Sequence, residues 1–221
     1  MTTPLTGPER PALSGTADSL VVFLHGYGAD GADLIGLADP LAPHLPATAF
    51  RAPNAPEPSS ANPMGYQWFP IPWLDGTPED VARAAAARSY RLLDDWLDAL
   101  PAATGIGPER TVLVGFSQGT MMALHVGLRR SAPLAGIVGF SGRLLDPEAL
   151  PGEIASRPPV LLIHGDADPV VPFESLGHAE AALTAAGVET LTHVSRGAGH
   201  GIAPDGLTLA LRFIRARFGL D

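Results

Sequence analysis

Cysteine and lysine are both absent from this 221-residue sequence, whose 14 basic residues are all arginine. The lack of cysteine excludes disulfides, thiolate nucleophiles and zinc–thiolate sites. The lack of lysine excludes Schiff bases, serine–lysine dyads and the lysine of nucleotide-binding P-loops. Together the two absences remove the chief competitors of a hydroxyl as a covalent nucleophile.

Charged residues are also scarce, at 17% of the chain against roughly 25% in an average globular protein. The 14 arginines face 23 acidic residues, which gives a net charge of −9. A protein that tracks phosphates needs a basic face, so nucleic acid and anionic membrane are disfavoured as partners. Neither a signal-peptide pattern nor a run of 18 apolar residues occurs, so we expect a cytoplasmic protein without integral membrane association.

Segments with the apolar pattern of strands alternate along the chain with segments that have the pattern of helices. This alternation predicts an α/β fold with a mostly parallel sheet. Residues 20–24 form a continuous apolar run, typical of a strand buried on both faces. Further strands are expected at 48–51, 111–114, 134–140, 160–163 and 190–194. Helices are expected at about 32–38, 120–126, 173–187 and 207–218. The length suits a single domain covering residues 1–221.

A longer amphipathic helix is predicted after residue 77. Thr77 is expected to be its N-cap, with Pro78 at the first helical position and acidic residues in the first turn. Apolar residues then recur at helical spacing until Leu100, and Pro101 is expected to end the helix.

The most informative motif is Gly115-Phe116-Ser117-Gln118-Gly119, a G-x-S-x-G pattern between an apolar strand and a predicted helix. This is the context of a nucleophile elbow, a tight turn that strains the serine and exposes its hydroxyl above the sheet. The flanking glycines remove Cβ atoms that would clash. Ser117 is therefore the candidate nucleophile.

Three other polar motifs that contain glycine follow predicted strands, at residues 25–28, 164–168 and 197–201. The carboxyl ends of parallel strands meet at one edge of a sheet, where ligands bind. A serine hydroxyl needs a neutral imidazole as base, and the imidazole needs a carboxylate to orient it. The α/β-hydrolase order of serine, acid and histidine is satisfied by Ser117, Asp168 and His200.

Each partner of the serine has rivals. His25 is expected to bond backbone in the turn after the first strand, and His200 is preferred as base because it lies between glycines in a loop. The other histidines fall on helices, on the last strand or at the surface: His44, His125, His178 and His193. The rival acids are Asp166, expected to cap its own turn, Asp205, expected to be a helix N-cap, and Asp146.

The oxyanion hole requires two backbone N–H groups. One belongs to the residue after the nucleophile, Gln118, and the best candidate for the other is Tyr27. A metal could be chelated by alternate residues of His164-x-Asp166-x-Asp168, but nothing else in the sequence completes such a site. We therefore expect neither metal nor cofactor.

These motifs in this order resemble the small carboxylesterase/phospholipase family that includes acyl-protein thioesterases and lysophospholipases. The matching segments are residues 23–31, 115–119, 164–172 and 199–201, and residues 67–71 resemble bacterial members. Thr120, where many members have glycine, and Tyr27, where leucine is common among thioesterases, depart from the pattern.

The resemblance implies an α/β-hydrolase without a separate cap domain and a serine esterase that uses Ser117, Asp168 and His200. It also implies that the 65–75 segment helps to form the acyl-binding pocket, with Trp68, Phe69, Trp73 and Leu74 as substrate-binding residues. The alternative is that Trp68 and Trp73 merely seal one end of the sheet.

The function expected is hydrolysis of small-molecule esters with short to medium acyl groups. The alternatives are thioester or lysophospholipid hydrolysis by the same residues and, more remotely, a non-catalytic ligand-binding protein on a hydrolase scaffold. An apolar rim around the pocket would also allow a homodimer.

Overall fold

A computed structural model describes residues 5–220 of the protein. In this part of the chain, seven strands form a central sheet. They are β1 (Glu9–Arg10), β2 (Ser19–Leu24), β3 (Thr48–Arg51), β6 (Thr111–Phe116), β7 (Gly136–Phe140), β8 (Val160–Gly165) and β9 (Thr190–Ser195). Two short strands, β4 (Glu57–Pro58) and β5 (Tyr66–Gln67), form a separate antiparallel pair. The order is β1-β3-β2-β6-β7-β8-β9, and all neighbours are parallel except β1 and β3.

Helices cover both faces of this sheet. They are α1 (Gly31–Ile35), α2 (Ala38–Leu41), α3 (Pro72–Asp75), α4 (Glu79–Thr104), α5 (Gln118–Arg129), α6 (Leu150–Glu153), α7 (Glu174–Ala185) and α8 (Pro204–Phe218), with 3-10 turns at Ala42–His44 and Pro108–Arg110. Successive side chains of a strand point to opposite faces. In β2, Leu20, Val22 and Leu24 accordingly pack with α4, α5 and α7, whereas Val21 and Phe23 pack with α1, α2 and α8.

The α/β prediction is confirmed, and the described residues contain no separate cap domain. The prediction that the long helix ends before Pro101 is wrong, because α4 continues to Thr104. Pro101 lies in the last turn, where Thr104 Oγ1 donates to Leu100 O at 2.7 Å and Gly105 N–H to Pro101 O at 2.8 Å. Gly105 then ends the helix with a φ of 75°, in the left-handed region that glycine tolerates.

The predicted start of α4 also needs correction. Pro78 rather than Thr77 precedes the first helical residue, and no side chain caps this end. The N–H of Thr77 instead donates to Asp75 Oδ1 at 2.9 Å. The segment predicted as one helix at 32–38 is divided between α1 and α2.

Among the described residues, no helix is both long enough and apolar enough to cross a membrane.

Candidate active site

Ser117 occupies a tight turn between β6, which ends at Phe116, and α5, which begins at Gln118. Its φ is 54° and its ψ is −114°, a conformation that is costly for a residue with a Cβ atom and is concentrated at functional sites. Ser117 N–H donates to Phe140 O at 2.8 Å, which fixes the turn against β7. The strained strand–turn–helix geometry expected of G-x-S-x-G is present.

The glycines of the motif allow the turn to pack closely on its neighbours. A Cβ on Gly119 would overlap the carbonyl oxygen of Leu24, so no larger residue fits between α5 and β2. A Cβ on Gly26 would lie 3.3 Å from Ser117 Cβ. The turn that follows β2 therefore lies directly against the candidate nucleophile.

Asp168 and His200 form the acid–base pair that the sequence predicts as neighbours. His200 Nδ1 lies 2.7 Å from Asp168 Oδ2, and Asp168 Oδ1 accepts from the N–H groups of Val170 at 2.8 Å and Val171 at 2.9 Å. The carboxylate is fully buried, whereas the His200 side chain is 17% exposed. With Nδ1–H donating to the carboxylate, the Nε2 lone pair of a neutral His200 is available as a base.

The pKa of the Asp168 carboxyl is held below its usual range. Its burial alone would raise the pKa, but the hydrogen bonds from His200, Val171 and Val170 outweigh that effect. Asp168 is thus ionised at neutral pH, as the orienting acid must be.

His200 lies beside the elbow. Its ring centroid is 4.9 Å from that of Phe116, the residue before Ser117. No hydrogen bond joins the Ser117 hydroxyl to His200 in the structure. In enzymes without substrate such contacts are often long and tighten in the substrate complex.

The loops that carry Asp168 and His200 are joined by backbone contacts. Asp166 Oδ1 accepts from Gly197 N–H at 2.5 Å, and Ala167 N–H donates to Ala198 O at 3.0 Å. The expectation that Asp166 caps its own turn is therefore wrong, because its carboxylate holds the loop that precedes His200.

Only two of the three alternate residues of the 164–168 motif, His164 and Asp168, lie together. His164 is buried, with Nε2 3.0 Å from Val171 O and 3.4 Å from Asp168 Oδ2, whereas Asp166 points to Gly197. Within residues 5–220, no group of three or more histidine or acidic side chains is arranged to hold a metal ion.

The rival histidines have structural surroundings or are exposed. His25 is completely buried, with Nδ1 2.8 Å from Gly26 O and Nε2 accepting from Ala55 N–H at 2.9 Å. Burial lowers the pKa of His25 and keeps it neutral. His44 and His178 are exposed.

His193 and Asp205 form a second histidine–aspartate pair, at the edge of the sheet. His193 Nε2 lies 2.7 Å from Asp205 Oδ2, and Ser195 Oγ donates to Asp205 Oδ1 at 3.2 Å. The expectation that Asp205 is a helix N-cap is wrong, since Ala203 occupies that position in α8. The carboxylate lies between the serine and the histidine, so this cluster cannot pass a proton from hydroxyl to imidazole.

The two predicted oxyanion donors flank Ser117. Gln118 is the first residue of α5, and Tyr27 follows Gly26 in the turn that contacts the serine. Within the described part of the chain, neither backbone N–H donates to a protein acceptor. Their role as oxyanion donors stays a prediction.

The side chain of Gln118 has a function that the sequence does not reveal. It is completely buried; its Oε1 accepts from Trp68 N–H at 3.0 Å, and its Nε2 donates to Phe69 O at 2.8 Å. Gln118 therefore fixes residues 65–75, here called the aromatic segment, to the elbow.

Trp68 is an anchor of this segment rather than part of a pocket. It is 0% exposed, and its Nε1–H donates to His25 O at 3.0 Å. Ser89 of α4 donates to the Trp68 carbonyl oxygen. Trp68 does not line the cavity beside this segment, so the expectation that it binds substrate is not met. Its buried position fits the alternative, in which it packs against the end of the sheet.

A cavity of about 610 Å³ lies between the aromatic segment, α4, α5 and the segment after β7. Phe69 and Trp73 line it, as does Met121, one helical turn after Ser117. Leu74 does not line it and is 59% exposed. Of the four residues expected in the acyl pocket, Phe69 and Trp73 line this cavity, and their contact with substrate stays a prediction.

Sequence reasoning missed a stacked pair in this cavity, because its members lie on different helices. The rings of Tyr90 and His125 are 3.5 Å apart between centroids. Burial lowers the pKa of His125 to about 4, assisted by the nearby Arg129. Burial also raises the pKa of Tyr90 to about 12. Both rings are therefore neutral at physiological pH.

Thr120 is accommodated by glycines on neighbouring segments. Its Oγ1 donates to Gly115 O or Phe140 O, both at 2.9 Å. A Cβ on Gly139 or Gly142 would overlap the Thr120 side chain. The departure from the family pattern at position 120 thus leaves the turn intact.

Comparison with known proteins identifies the family of this chain. Residues 12–218 match the phospholipase/carboxylesterase family. Acyl-protein thioesterase 1 of Gibberella zeae is 31% identical over 209 residues, which cover 88% of each chain. Esterase YpfH of Escherichia coli is 27% identical over 94% of this chain and 84% of its own. The crystal structure of esterase PE8 is 50% identical, with a TM-score of 0.91 over 97% of this chain and 99% of its own.

The family match includes the elbow, the acid–base loops and nearly all of the sheet. The similarity in fold to esterase PE8 covers 97% of this chain. This chain therefore belongs to the phospholipase/carboxylesterase family and is a carboxylic ester hydrolase of the α/β-hydrolase fold.

Proposed function

We propose that the chain is a serine carboxylesterase that hydrolyses small-molecule esters of short to medium acyl groups through an acyl-enzyme on Ser117. The observation that carries this proposal is the 2.7 Å contact of His200 with Asp168, beside a serine held at a φ of 54°. A hydroxyl, an imidazole and a carboxylate in this order supply a nucleophile, its base and the orienting acid.

In the first half of the reaction, Ser117 Oγ attacks the ester carbonyl carbon while His200 Nε2 takes the hydroxyl proton. The tetrahedral oxyanion accepts hydrogen bonds from the N–H groups of Tyr27 and Gln118. The C–O bond to the alcohol then breaks, and His200 returns its proton to the leaving alkoxide. Asp168 stabilises the transient imidazolium and remains ionised.

In the second half, water attacks the acyl-enzyme and His200 takes one of its protons. The second tetrahedral intermediate collapses with release of the carboxylic acid, and the proton returns to Ser117 Oγ. All of these steps use only side chains and backbone N–H groups of this chain.

The cavity lined by Phe69, Trp73 and Met121 is the proposed acyl site, since it begins one helical turn from Ser117. Its lining is mostly apolar, as in most small-molecule pockets. Leu74 and Trp68 are not part of it. The proposed homodimer would use the exposed apolar rim, where Trp73 is 67% exposed.

Thioester hydrolysis is the second candidate. The Gibberella zeae relative named acyl-protein thioesterase 1 supports it, and the same nucleophile, base and oxyanion donors would serve a thioester. Lysophospholipid hydrolysis would likewise require only a different leaving group.

The first experiment is covalent labelling with a fluorophosphonate, followed by mass spectrometry of tryptic peptides. We expect one adduct, on Ser117, and none in Ser117→Ala. Absence of the adduct in a folded wild-type protein would refute the mechanism. Ligand binding without turnover, unchanged in Ser117→Ala, would instead favour the non-catalytic alternative.

The second experiment compares kcat/KM on 4-nitrophenyl butyrate, a palmitoyl thioester and a lysophospholipid. We expect the highest value for the butyrate ester. A higher value for the thioester or the lysophospholipid would replace the ester assignment with that alternative, with Ser117 labelling unchanged.

A further inference from the structure

Arg143 lines the proposed acyl cavity, and the residue before it packs against the elbow. It follows β7 by three residues and lines the cavity together with Phe69 and Trp73. Its neighbour Gly142 packs against the elbow so closely that a Cβ there would lie 2.9 Å from Ser117 O. An acyl chain that extends from Ser117 into this cavity therefore shares it with the Arg143 side chain.

The guanidinium of Arg143 lacks an anionic partner. Within residues 5–220, no carboxylate lies within 4.0 Å of it, and none of its N–H groups donates a hydrogen bond. Its Nε is buried without any partner. A buried donor without an acceptor is costly, and no protein group in the described residues uses the hydrogen-bonding capacity of this guanidinium.

Arg129 shows the contrast within the same cavity. Its guanidinium donates to Glu153 Oε2 through Nε at 2.8 Å and Nη2 at 2.6 Å. Arg143 instead stacks on the ring of Trp73, with Cζ 5.0 Å from the ring centroid. A guanidinium that stacks by its face keeps its edge available for bidentate binding of a carboxylate.

The charge around the cavity differs in sign from that of the whole protein. Three arginines line it, Arg83, Arg129 and Arg143, against two acidic residues, Asp146 and Glu153. The chain as a whole carries a net charge of −9. The lining thus carries a net charge of +1 and opposes the entry of an anion less than the rest of the protein does.

We propose that Arg143 binds a carboxylate at the far end of the substrate's acyl chain, and that the enzyme accepts half esters of dicarboxylic acids. The apolar walls at Phe69, Ile71 and Met121 suit the methylene groups between the ester and this carboxylate. The inference rests on the proposed serine esterase function and specifies its substrate class.

The test uses two substrates that differ only in charge: 4-nitrophenyl hydrogen adipate and methyl 4-nitrophenyl adipate. The wild-type kcat/KM for the half acid is expected to equal or exceed that for the methyl ester. In Arg143→Met the ratio of half acid to methyl ester should fall by about tenfold to hundredfold, as expected for loss of a charged hydrogen bond. Arg143→Lys should retain part of the ratio.

Arg91→Met is the matched control, because Arg91 is an exposed arginine of α4 that does not line the cavity. Its ratio should equal that of the wild type, although the net charge changes equally. An equal fall of the ratio in both variants would overturn the proposal, since the effect would then come from net charge alone.

A ratio unchanged in Arg143→Met would also overturn it. A wild-type kcat/KM for the half acid more than tenfold below that for the methyl ester would overturn it as well. This measurement needs only the wild type, so it does not depend on whether the variant folds.

A second pair, 4-butyryloxybenzoate and its methyl ester, carries the charge on the alcohol side. An Arg143 effect confined to this pair would overturn the acyl-side assignment.

Failure of the underlying function is distinguishable from these outcomes. It would abolish fluorophosphonate labelling of Ser117 and hydrolysis of charged and neutral esters alike. Failure of the carboxylate inference alone would leave both intact.

Discussion

The Tyr27 hydroxyl donates a hydrogen bond to Asp75 Oδ2 at 3.2 Å, although Tyr27 enters the proposed chemistry only through its backbone N–H. Asp75 also accepts from Ile71 N–H at 3.2 Å and Thr77 N–H at 2.9 Å. Burial raises the pKa of Asp75, but these backbone hydrogen bonds and the one from Tyr27 outweigh it and lower the pKa. The carboxylate thus connects the turn that holds Tyr27, a proposed oxyanion donor, to the aromatic segment.

Tyr27→Phe is therefore expected to impair the oxyanion turn without removing its N–H. The hydroxyl loses its hydrogen bonds with Asp75 Oδ2 and with Ser60 Oγ, which lies 2.7 Å away. At about 1 kcal/mol each, their loss should lower kcat on 4-nitrophenyl butyrate about threefold to thirtyfold. Asp75→Asn should also lower kcat, and the double variant should lose less than the product of the two, because both variants weaken the Tyr27–Asp75 contact.

The control for this prediction is Tyr66→Phe. The Tyr66 side chain is half-buried, and its hydroxyl makes no hydrogen bond with the described residues. Steady-state kinetics of the three variants decide the matter. Equal kcat for Tyr27→Phe and Tyr66→Phe would show that the tether to Asp75 does not position the turn.

Asp168→Asn tests the orienting carboxylate. The asparagine carbonyl can still accept from Val170 and Val171, but its NH₂ would face His200 Nδ1 and favour the wrong tautomer. By analogy with serine proteases, kcat is expected to fall on the order of 10⁴-fold with the fold retained. Stopped and continuous assays with 4-nitrophenyl butyrate cover this range.

Asp166→Asn is the matched control for that variant. It lies in the same loop, and its side chain accepts from Gly197 N–H, which an asparagine carbonyl can also do. Its kcat should stay within about threefold of the wild type, since one charge-assisted hydrogen bond becomes neutral. A loss comparable to that of Asp168→Asn would assign the effect to loop geometry rather than to the tautomer of His200.

The lowered pKa of His125 predicts a loss of stability in mild acid. The folded pKa is about 4 and the unfolded value about 6.5, so between these values the unfolded chain binds more protons. Stability therefore falls as pH decreases from about 6.5 to 4. The contribution of this residue is at most about 3 kcal/mol, and less because the ring is only half-buried.

Urea unfolding of the wild type and His125→Gln at pH 7 and pH 4 measures this contribution. From pH 7 to pH 4, the free energy of unfolding should fall less for His125→Gln than for the wild type, because the variant lacks this histidine. The groups around His125 whose charges oppose or assist its protonation are Arg129, Glu153 and Asp146. His178→Gln, at an exposed site on α7, should show no such difference from the wild type, and an identical difference in both variants would contradict the assignment.

The parallel sheet and the order of its motifs were predictable because local patterns determine them. Buried strands appear as apolar runs, as in β2 and β6, and each is followed by a glycine-containing turn. The pairing of Asp168 with His200 follows from the same logic, since both lie after parallel strands at one edge.

Contacts between distant segments were not predictable, because no local pattern encodes them. The stacking of Tyr90 on His125 and of Arg143 on Trp73 depends on how α4, α5 and the segment after β7 approach one another. The wrong prediction that α4 ends before Pro101 has a local cause. A proline in the last turn removes only one hydrogen bond, so the helix can continue past it.

Gln118 provides the last prediction, because its side chain and its backbone serve different purposes. The side chain satisfies two buried backbone groups, Trp68 N–H and Phe69 O. Gln118→Ala leaves both without partners, at about 1–3 kcal/mol each, and should lower the free energy of unfolding by about 2–4 kcal/mol. Urea unfolding at pH 7 measures this loss.

The other glutamine, Gln67, supplies the comparison. It is also buried, but its side chain accepts a single, longer bond from Ser60 N–H, at 3.3 Å. Gln67→Ala should therefore cost about 1 kcal/mol. Because Gln118→Ala retains its own N–H, Ser117 should still be labelled by a fluorophosphonate in the folded variant, while KM rises as Phe69 is released from the elbow. Equal destabilisation by the two substitutions would contradict the role of Gln118 as the clamp of the aromatic segment.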